Sequence, residues 1–252
     1  MNKIRYPYEI LMLLVLTLSC AGVHASVLVS GTRVVFPGSD QEVTVRLTND
    51  GTLPSLVQTW LDNGNQTEAP DRIDVPFVIT PSVFRLEPGK GQTLRILYTG
   101  ESLPTDRESL FWLNVLDVPP KPGAEDDRNR IQLAIRTRIK LMYRPANLPG
   151  STGDAPGRLT WKIGSNKAHA PVLRATNPTP YVVNLAGIAW VVNGNTFDAG
   201  MGYVLPGKSA EFEIKGMKGM KDVNGGAGTV EFISVDDWGA NRSGRATAEV
   251  SR

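Results

Sequence analysis

Short runs of alternating or wholly apolar residues recur along the chain. They include "EVTVRL" (42–47), "SLVQTWL" (55–61), "TLRILY" (93–98), "LFWLNVLDV" (110–118), "YVVNLAGIAWVV" (181–192), "AEFEI" (210–214) and "GTVEFISV" (228–235), each bounded by Gly, Pro, Asn or Asp. Successive side chains of a strand point to opposite faces, so a period of two marks a half-buried β-strand. No long segment repeats at 3.6 residues. The pattern predicts an all-β protein, a sandwich or a barrel, rather than alternating β-α units.

One run is longer than the rest. In "RIQLAIRTRIKLMYRP" (130–145), Ile131, Leu133, Ile135, Ile139 and Leu141 alternate with Arg130, Gln132, Arg136, Arg138 and Lys140. Read as a single strand, it is about twice the usual length of five or six residues. Ile139, Leu141 and Tyr143 fit a core face, and Arg136 and Arg138 fit a solvated one. The apolar residues upstream then lack an obvious partner within the fold.

"RPANLPGSTGDAPG" (144–157) gathers Pro, Gly and small polar residues, the composition of a linker. The predicted units are a first domain over 26–147, a linker over 148–157 and a second domain over 158–252, each the size of an immunoglobulin-like sandwich. The halves echo one another. "LEPGKGQTLRI" (86–96) has the rhythm of "VLPGKSAEFEI" (204–214), and "RLTNDGTLP" (46–54) that of "RATNPTPY" (174–181). Two copies of one β-domain account for this better than one large barrel.

The first 25 residues read as an export signal. Lys3 and Arg5 precede the apolar run 10–23, and "VHA" (23–25) puts a small residue at the cleavage position. The run is short for a membrane helix. Cys20 raises lipidation, but Thr17 and Leu18 fit the required box poorly, so cleavage is expected after Ala25. Removing Lys3, Arg5 and Glu9 leaves 25 basic and 24 acidic residues. That near-neutral balance gives no general attraction to nucleic acid or anionic lipid. No later run could span a bilayer. Cys20 is the sole cysteine, so the mature chain is exported without a disulfide.

Reactive chemistry is sparse. "GYVLPGKS" (202–209) matches the phosphate-loop pattern literally, but Pro206 removes one of the amides that would cradle phosphate, and a strand-like "AEFEI" follows in place of a helix. His169 is the only histidine of the mature chain, in a polar, loop-like setting, which leaves little from which to build a Ser-His-Asp triad or a His-rich metal site. "EDD" (125–127) reads as a solvated loop tip and "KGMKGMK" (215–221) as a basic loop. The expectation is a protein that is not an enzyme and carries no cofactor or metal.

Several motifs stand in one order: "VSGTRVVFP" (29–37), "DRES" (106–109), "LFWLNVLDVPP" (110–120), "IQLAIRTRIKLMYRP" (131–145), "NPTPY" (177–181) and "DDWG" (236–239). Together they resemble the periplasmic pilus-assembly chaperones of Gram-negative bacteria, the PapD-like family, over essentially the whole mature chain. The resemblance implies two immunoglobulin-like domains at an angle with a cleft between them. It implies that Arg33 and Lys140 hold the C-terminal carboxylate of a pilus subunit in that cleft. Ile131, Leu133 and Ile135 would then enter a groove in the subunit, by the β-strand addition for which chaperone–pilin pairs are a standing example. The apolar triad is odd-numbered and Lys140 even. A twist, a bulge or a ligand running along the strand edge would each reconcile them.

Further implications are an interdomain ion network of Glu108, Arg144 and Asp237, and contact with an outer-membrane usher through Leu56 and Pro81, where "TPS" stands in place of the family's double proline. The short loop "KPGAEDDRN" (121–129) resembles the subgroup that serves rod-like pili. The reading is a non-enzymatic periplasmic chaperone for fimbrial subunits. The alternatives are an exported two-domain β-sandwich adhesin or structural subunit and, with different chemistry, a carbohydrate-active enzyme.

Overall fold

The structure is a computed structural model, and it describes residues 26–121, 131–217 and 228–250. The expected leader, nearly all of the 121–129 loop and much of 215–221 lie outside the described residues.

Among the described residues, the first half contains nine strands: β1 (Val27–Val29), β2 (Arg33–Pro37), β3 (Glu42–Asn49), β4 (Ser55–Asp62), β5 (Phe77–Thr80), β6 (Val83–Leu86), β7 (Gly91–Tyr98), β8 (Ser109–Val118) and β9 (Ile135–Arg144). One sheet runs β1-β3-β7-β5 and the other β2-β9-β8-β4-β6. Alternation places Leu47, Leu94 and Ile96 from the first sheet against Phe36, Val57, Leu113 and Leu141 from the second, all fully buried. Phe36, Phe77, Tyr98, Phe111 and Tyr143 form an aromatic cluster in this core, with ring centroids 4.9–6.3 Å apart. The opening strand is split between the sheets. Val27–Val29 pairs with β3, then the chain crosses and Arg33–Pro37 pairs parallel with β9.

The second half contains β10 (Thr160–Ser165), β11 (Pro171–Thr176), β12 (Val183–Val192), β13 (Asn195–Asp198), β14 (Gly202–Val204), β15 (Ser209–Glu213), β16 (Thr229–Val235) and β17 (Asn241–Val250). β17 pairs with β16 and then, through its last residues, with β10, so it belongs to both layers of the sandwich. Trp161, Ile163, Leu173, Trp190, Val230 and Phe232 fill the core. Leu148 and Ala155, from the stretch that reads as linker, pack into this same core.

The sequence echo between the halves corresponds to one repeated device. Buried Asn49 donates through Nδ2 to Leu53 O and Leu86 O, and buried Asn177 donates to Tyr181 O and Val204 O. The glycine of each Pro-Gly-Lys turn, Gly89 (φ 67°) or Gly207 (φ 65°), donates to the carbonyl of the matching asparagine. That backbone region suits glycine, which lacks a Cβ. The side chain of each asparagine thus satisfies carbonyls at the end of its sandwich that would otherwise be buried unpaired. The turn at 205–208 leads into a strand, so the phosphate-loop pattern is a β-turn here.

The long alternating run does not form one strand. β9 starts at Ile135, and residues 131–134 lie outside any strand. The cause lies in its neighbour. β8 ends at Val118 and is followed by Pro119 and Pro120, which have no N–H to extend the ladder, so the last pair is Asp117 with Ile135. Gln132 Nε2 instead donates to the carbonyls of both prolines, at 2.9 and 2.8 Å.

Candidate functional site

β9 organises the site because its two edges and two faces differ. On one side β8 pairs with it continuously, from Tyr143 opposite Ser109 to Ile135 opposite Asp117, with no register shift. On the other side β2 covers only Lys140 to Arg144. From Ile135 to Ile139 that second edge has no strand beside it among the described residues. Its backbone groups are therefore open to an added strand lying in line with β2.

At the point where β2 begins, Arg33 and Lys140 are direct partners in the parallel pair, so both side chains share the sheet's outer face. That face meets the second domain. Lys140 Nζ donates to Asn184 Oδ1 at 2.6 Å and lies 4.5 Å from the ring centroid of Tyr203 and 5.5 Å from that of Trp112. Arg33 Nη1 donates to the Val235 carbonyl at 3.2 Å, while its buried Nε has no partner. Among the described residues neither cation has a carboxylate within ion-pair distance. Burial, with the nearby Arg33 charge second, pushes the Lys140 ammonium down to about 8. Burial also lowers Arg33, against the opposing pull of Asp237 and Asp236. The arrangement is a half-buried, two-cation niche with unused donors, suited to a single anionic group.

The apolar triad forms exposed surface. Ile131 is 90% exposed, Leu133 69% and Ile135 41%, whereas Ile139 and Leu141 farther along β9 are buried. Ile135 shares the parity of the buried residues, so at this end of β9 the core face runs out into exposed surface. β9 contains no bulge. Ile135 and Lys140 thus belong to opposite faces, and a ligand along the free edge, or a twist within it, reconciles them; Ile131 and Leu133 precede the strand and take no face of it.

Glu108, Arg144 and Asp237 meet at the domain junction. Arg144 donates from Nε to Glu108 Oε1 at 2.5 Å, and from Nη1 and Nη2 to the two oxygens of Asp237 at 2.8 Å each. Buried Glu108 also accepts from the Val182 amide at 2.6 Å, and its own amide donates to Pro180 O. Burial raises the Glu108 carboxyl above its ordinary range, against the lowering pull of Arg144. Burial opposes the Arg144 charge, but Asp237 and Glu108 outweigh it and hold the guanidinium above its usual value. Leu56 lies elsewhere, exposed on β4, two strands along from β9, and partly buried Pro81 sits in the β5–β6 connection. Neither reaches the cleft niche.

Arg138 corrects the expectation of a solvated face, whereas Arg136 is exposed as expected but is tied down by partners. Arg138 stacks 3.9 Å from the Trp112 centroid and binds both oxygens of buried Asp62, at 3.0 and 2.6 Å. Arg136 lies 4.9 Å from the Trp60 centroid and donates to Asn114 Oδ1 at 2.9 and 2.7 Å. Asn114 in turn donates to Asp62 at 2.7 Å. Sequence reasoning also missed Asn184 and Tyr203, which face Lys140 from the second domain. A signal existed for some of these. Trp60 and Trp112 occupy outward positions of their strands, and Asn184 interrupts the apolar run 181–192. Trp238, 93% exposed, stands beside Asp237 on the turn that packs on Thr32, where a Cβ on Gly239 would lie 3.0 Å from the Thr32 hydroxyl.

Two family models match the chain. The "Pili and flagellar-assembly chaperone, PapD N-terminal domain" covers residues 26–149, and the "Pili assembly chaperone PapD, C-terminal domain" covers 154–246. The chain is 42% identical over 220 residues to the chaperone protein FimB/FhaD of Bordetella pertussis, spanning 86% of this chain and 85% of that protein. The crystal structure of the YadV chaperone superposes with a TM-score of 0.75 at 37% identity, over 88% of this chain and 100% of the other. A Salmonella enterica SafA pilin in complex with the SafB chaperone matches with a TM-score of 0.71 at 30% identity, over 90% of this chain and 98% of the matched chain.

Proposed function

Because this chain belongs to the PapD-like family of fimbrial and pilus-assembly chaperones, we propose that it captures a fimbrial subunit in the periplasm by lending it the free edge of β9, and hands it to an outer-membrane usher. The family consists of assembly chaperones rather than enzymes, which sets aside the carbohydrate-active reading and the adhesin or structural-subunit reading.

One observation carries the mechanism: the uncovered edge of β9 ends at the Arg33–Lys140 pair, two cations without a carboxylate partner among the described residues. A subunit strand lying along that edge takes backbone hydrogen bonds from Ile135–Ile139. Those bonds are tolerant of sequence. Its terminal carboxylate, reaching the niche, accepts from both cations and fixes the register. Ile131, Leu133 and Ile135 fill successive sites of an incomplete subunit core. At about 1.5–3 kcal/mol for full burial of each, they contribute several kcal/mol before association costs. The SafA pilin–SafB chaperone complex supports pilin binding as a property of a similar chain. Leu56 and Pro81 are the proposed usher contacts, set apart from the subunit edge. This leaves room for both partners at once.

The paired change Leu133→Ser and Ile135→Ser tests the reading. Both residues are exposed in the free protein, so melting should hardly move while subunit capture is lost. A fall of tens of degrees in Tm would make them core residues and overturn the donor role.

A further inference from the structure

Asp117, the last inward-facing residue of β8, is only 6% exposed, and its Oδ1 has no hydrogen-bond partner. Its Oδ2 accepts from the Ser26 hydroxyl, which lies 3.2 Å from the Ser55 hydroxyl. Among the described residues no Lys, Arg or His pairs with it. A buried carboxylate without a cation is strongly disfavoured, because its desolvation is uncompensated. A positive charge with spare donors, close to the Ser26 side, would compensate it.

Ser26 is held firmly at that side. Its carbonyl accepts from the Asp50 amide at 2.7 Å, and a Cβ on Gly51 would lie 2.8 Å from the Ser26 Cβ. Val27, next along, is buried and opposite Asn49. The Ser26 backbone nitrogen is separated by only two carbons from the hydroxyl oxygen that already donates to Asp117. Inside a longer chain that nitrogen is an uncharged amide with one hydrogen. As a chain terminus it is an ammonium with three. We propose that Asp117 is the receptor for the mature N-terminus: hydrolysis of the Ala25–Ser26 bond by a leader peptidase, with water adding across it, leaves a carboxylate on Ala25 and an ammonium on Ser26 that pairs with the orphan Oδ1.

This site is independent of the subunit-capture reading, and it gives leader removal a structural consequence. β1 joins β2 through residues 30–32, so an ion pair at Ser26 anchors the segment that carries Arg33 into the cleft. The precursor lacks the pair, and the first domain reaches full stability only after cleavage.

The test is a double-mutant cycle on full-length mature protein. Chains beginning at Ser26, or at one added glycine before it, are compared by thermal melting with Asp117 intact and with Asp117→Asn, intact mass confirming each terminus. The added glycine should lower Tm by several degrees when Asp117 is intact and have little effect in the Asp117→Asn chain. In the otherwise native chain, carbon-13 NMR of Ser26 Cα and Cβ across a pH series should show the unmodified α-ammonium titrating roughly one pH unit or more above its ordinary value of about 7.7–8.0. The proposal is overturned if the exported protein begins elsewhere, if the glycine costs the same in both backgrounds, or if the α-ammonium titrates at its ordinary value. Should the Asp117→Asn chain fail to fold, the titration decides alone.

Discussion

Lys140 shows how little of a residue's role is local. Its amino-acid type and position alternate with Arg136 and Arg138 like any solvated strand face, yet it is partly buried against Asn184 and Tyr203 with its ammonium pushed down to about 8. The sign of the consequence follows. The free folded chain binds this proton less tightly than the unfolded chain, so protonated Lys140 opposes folding at neutral pH, and stability rises between about pH 8 and the ordinary lysine range. A bound carboxylate needs the charged form and raises its pKa. Subunit affinity should therefore be flat below about pH 8 and fall by up to about tenfold per pH unit above it. Isothermal titration from about pH 7 to about pH 9.5 checks this. Lys140→Arg should bind more weakly but without the fall, since guanidinium stays charged. A wild-type affinity unchanged across that whole range would remove Lys140 from the carboxylate niche. Sequence alone left both Lys140 and Arg33 as ordinary surface charges. Only their motif context singled them out, because what makes them unusual, proximity across two strands and burial by another domain, is invisible along the chain.

At the scale of the element, alternation predicted β-strands well and strand ends poorly. The period-two signal continues from Ile131 to Leu141, but the strand starts at Ile135 because the neighbouring Pro119 and Pro120 end the ladder. A pattern within one segment carries no information about where its partner stops. The same limit explains Arg136 and Arg138: their partners Trp60, Asp62, Trp112 and Asn114 sit on β4 and β8, far away in sequence. These contacts make the outer face of β9 a stiff support for the exposed edge. Asp62 is wholly buried, and its bonds to Arg138 and Asn114 hold its carboxyl below the ordinary range despite the opposing effect of burial, so the stability it supplies is lost as pH falls through that range. Asp62→Ala leaves Arg138 without its counter-charge and should cost about 3–5 kcal/mol in urea unfolding at neutral pH. A cost under about 1 kcal/mol would mean that the pair behaves like an exposed one.

For the whole molecule, the two-sandwich plan was readable from the alternating runs and the repeated Pro-Gly-Lys turn, whose asparagine partners give the repeat a physical basis. How the sandwiches meet was not readable from pattern, since interdomain contacts leave no periodicity. Arg144 spans the junction, bound by Glu108 on its own side and Asp237 on the other. Asp237→Ala removes the bidentate half and leaves Arg144 with Glu108 alone. We expect each domain to stay folded while the interdomain angle broadens, visible as a larger spread in small-angle scattering or in spin-label distances, with subunit affinity falling about tenfold as the niche loses its second-domain wall. An unchanged distance distribution would show that apolar packing alone sets the angle.

Subunit capture by this mechanism requires a carboxylate to meet Arg33 and Lys140 at the end of the free β9 edge. Its most direct test is titration of the chaperone with a subunit-derived C-terminal peptide or intact subunit, bearing either a free or an amidated C-terminus. Each bond to a charged group is worth about 1.5–3 kcal/mol, so amidation should weaken binding by roughly tenfold to more than a hundredfold per bond lost. The Arg33→Ala and Lys140→Ala chains should largely lose the difference between the two ligands. Equal affinity for the free and amidated forms in the unaltered protein would contradict the mechanism.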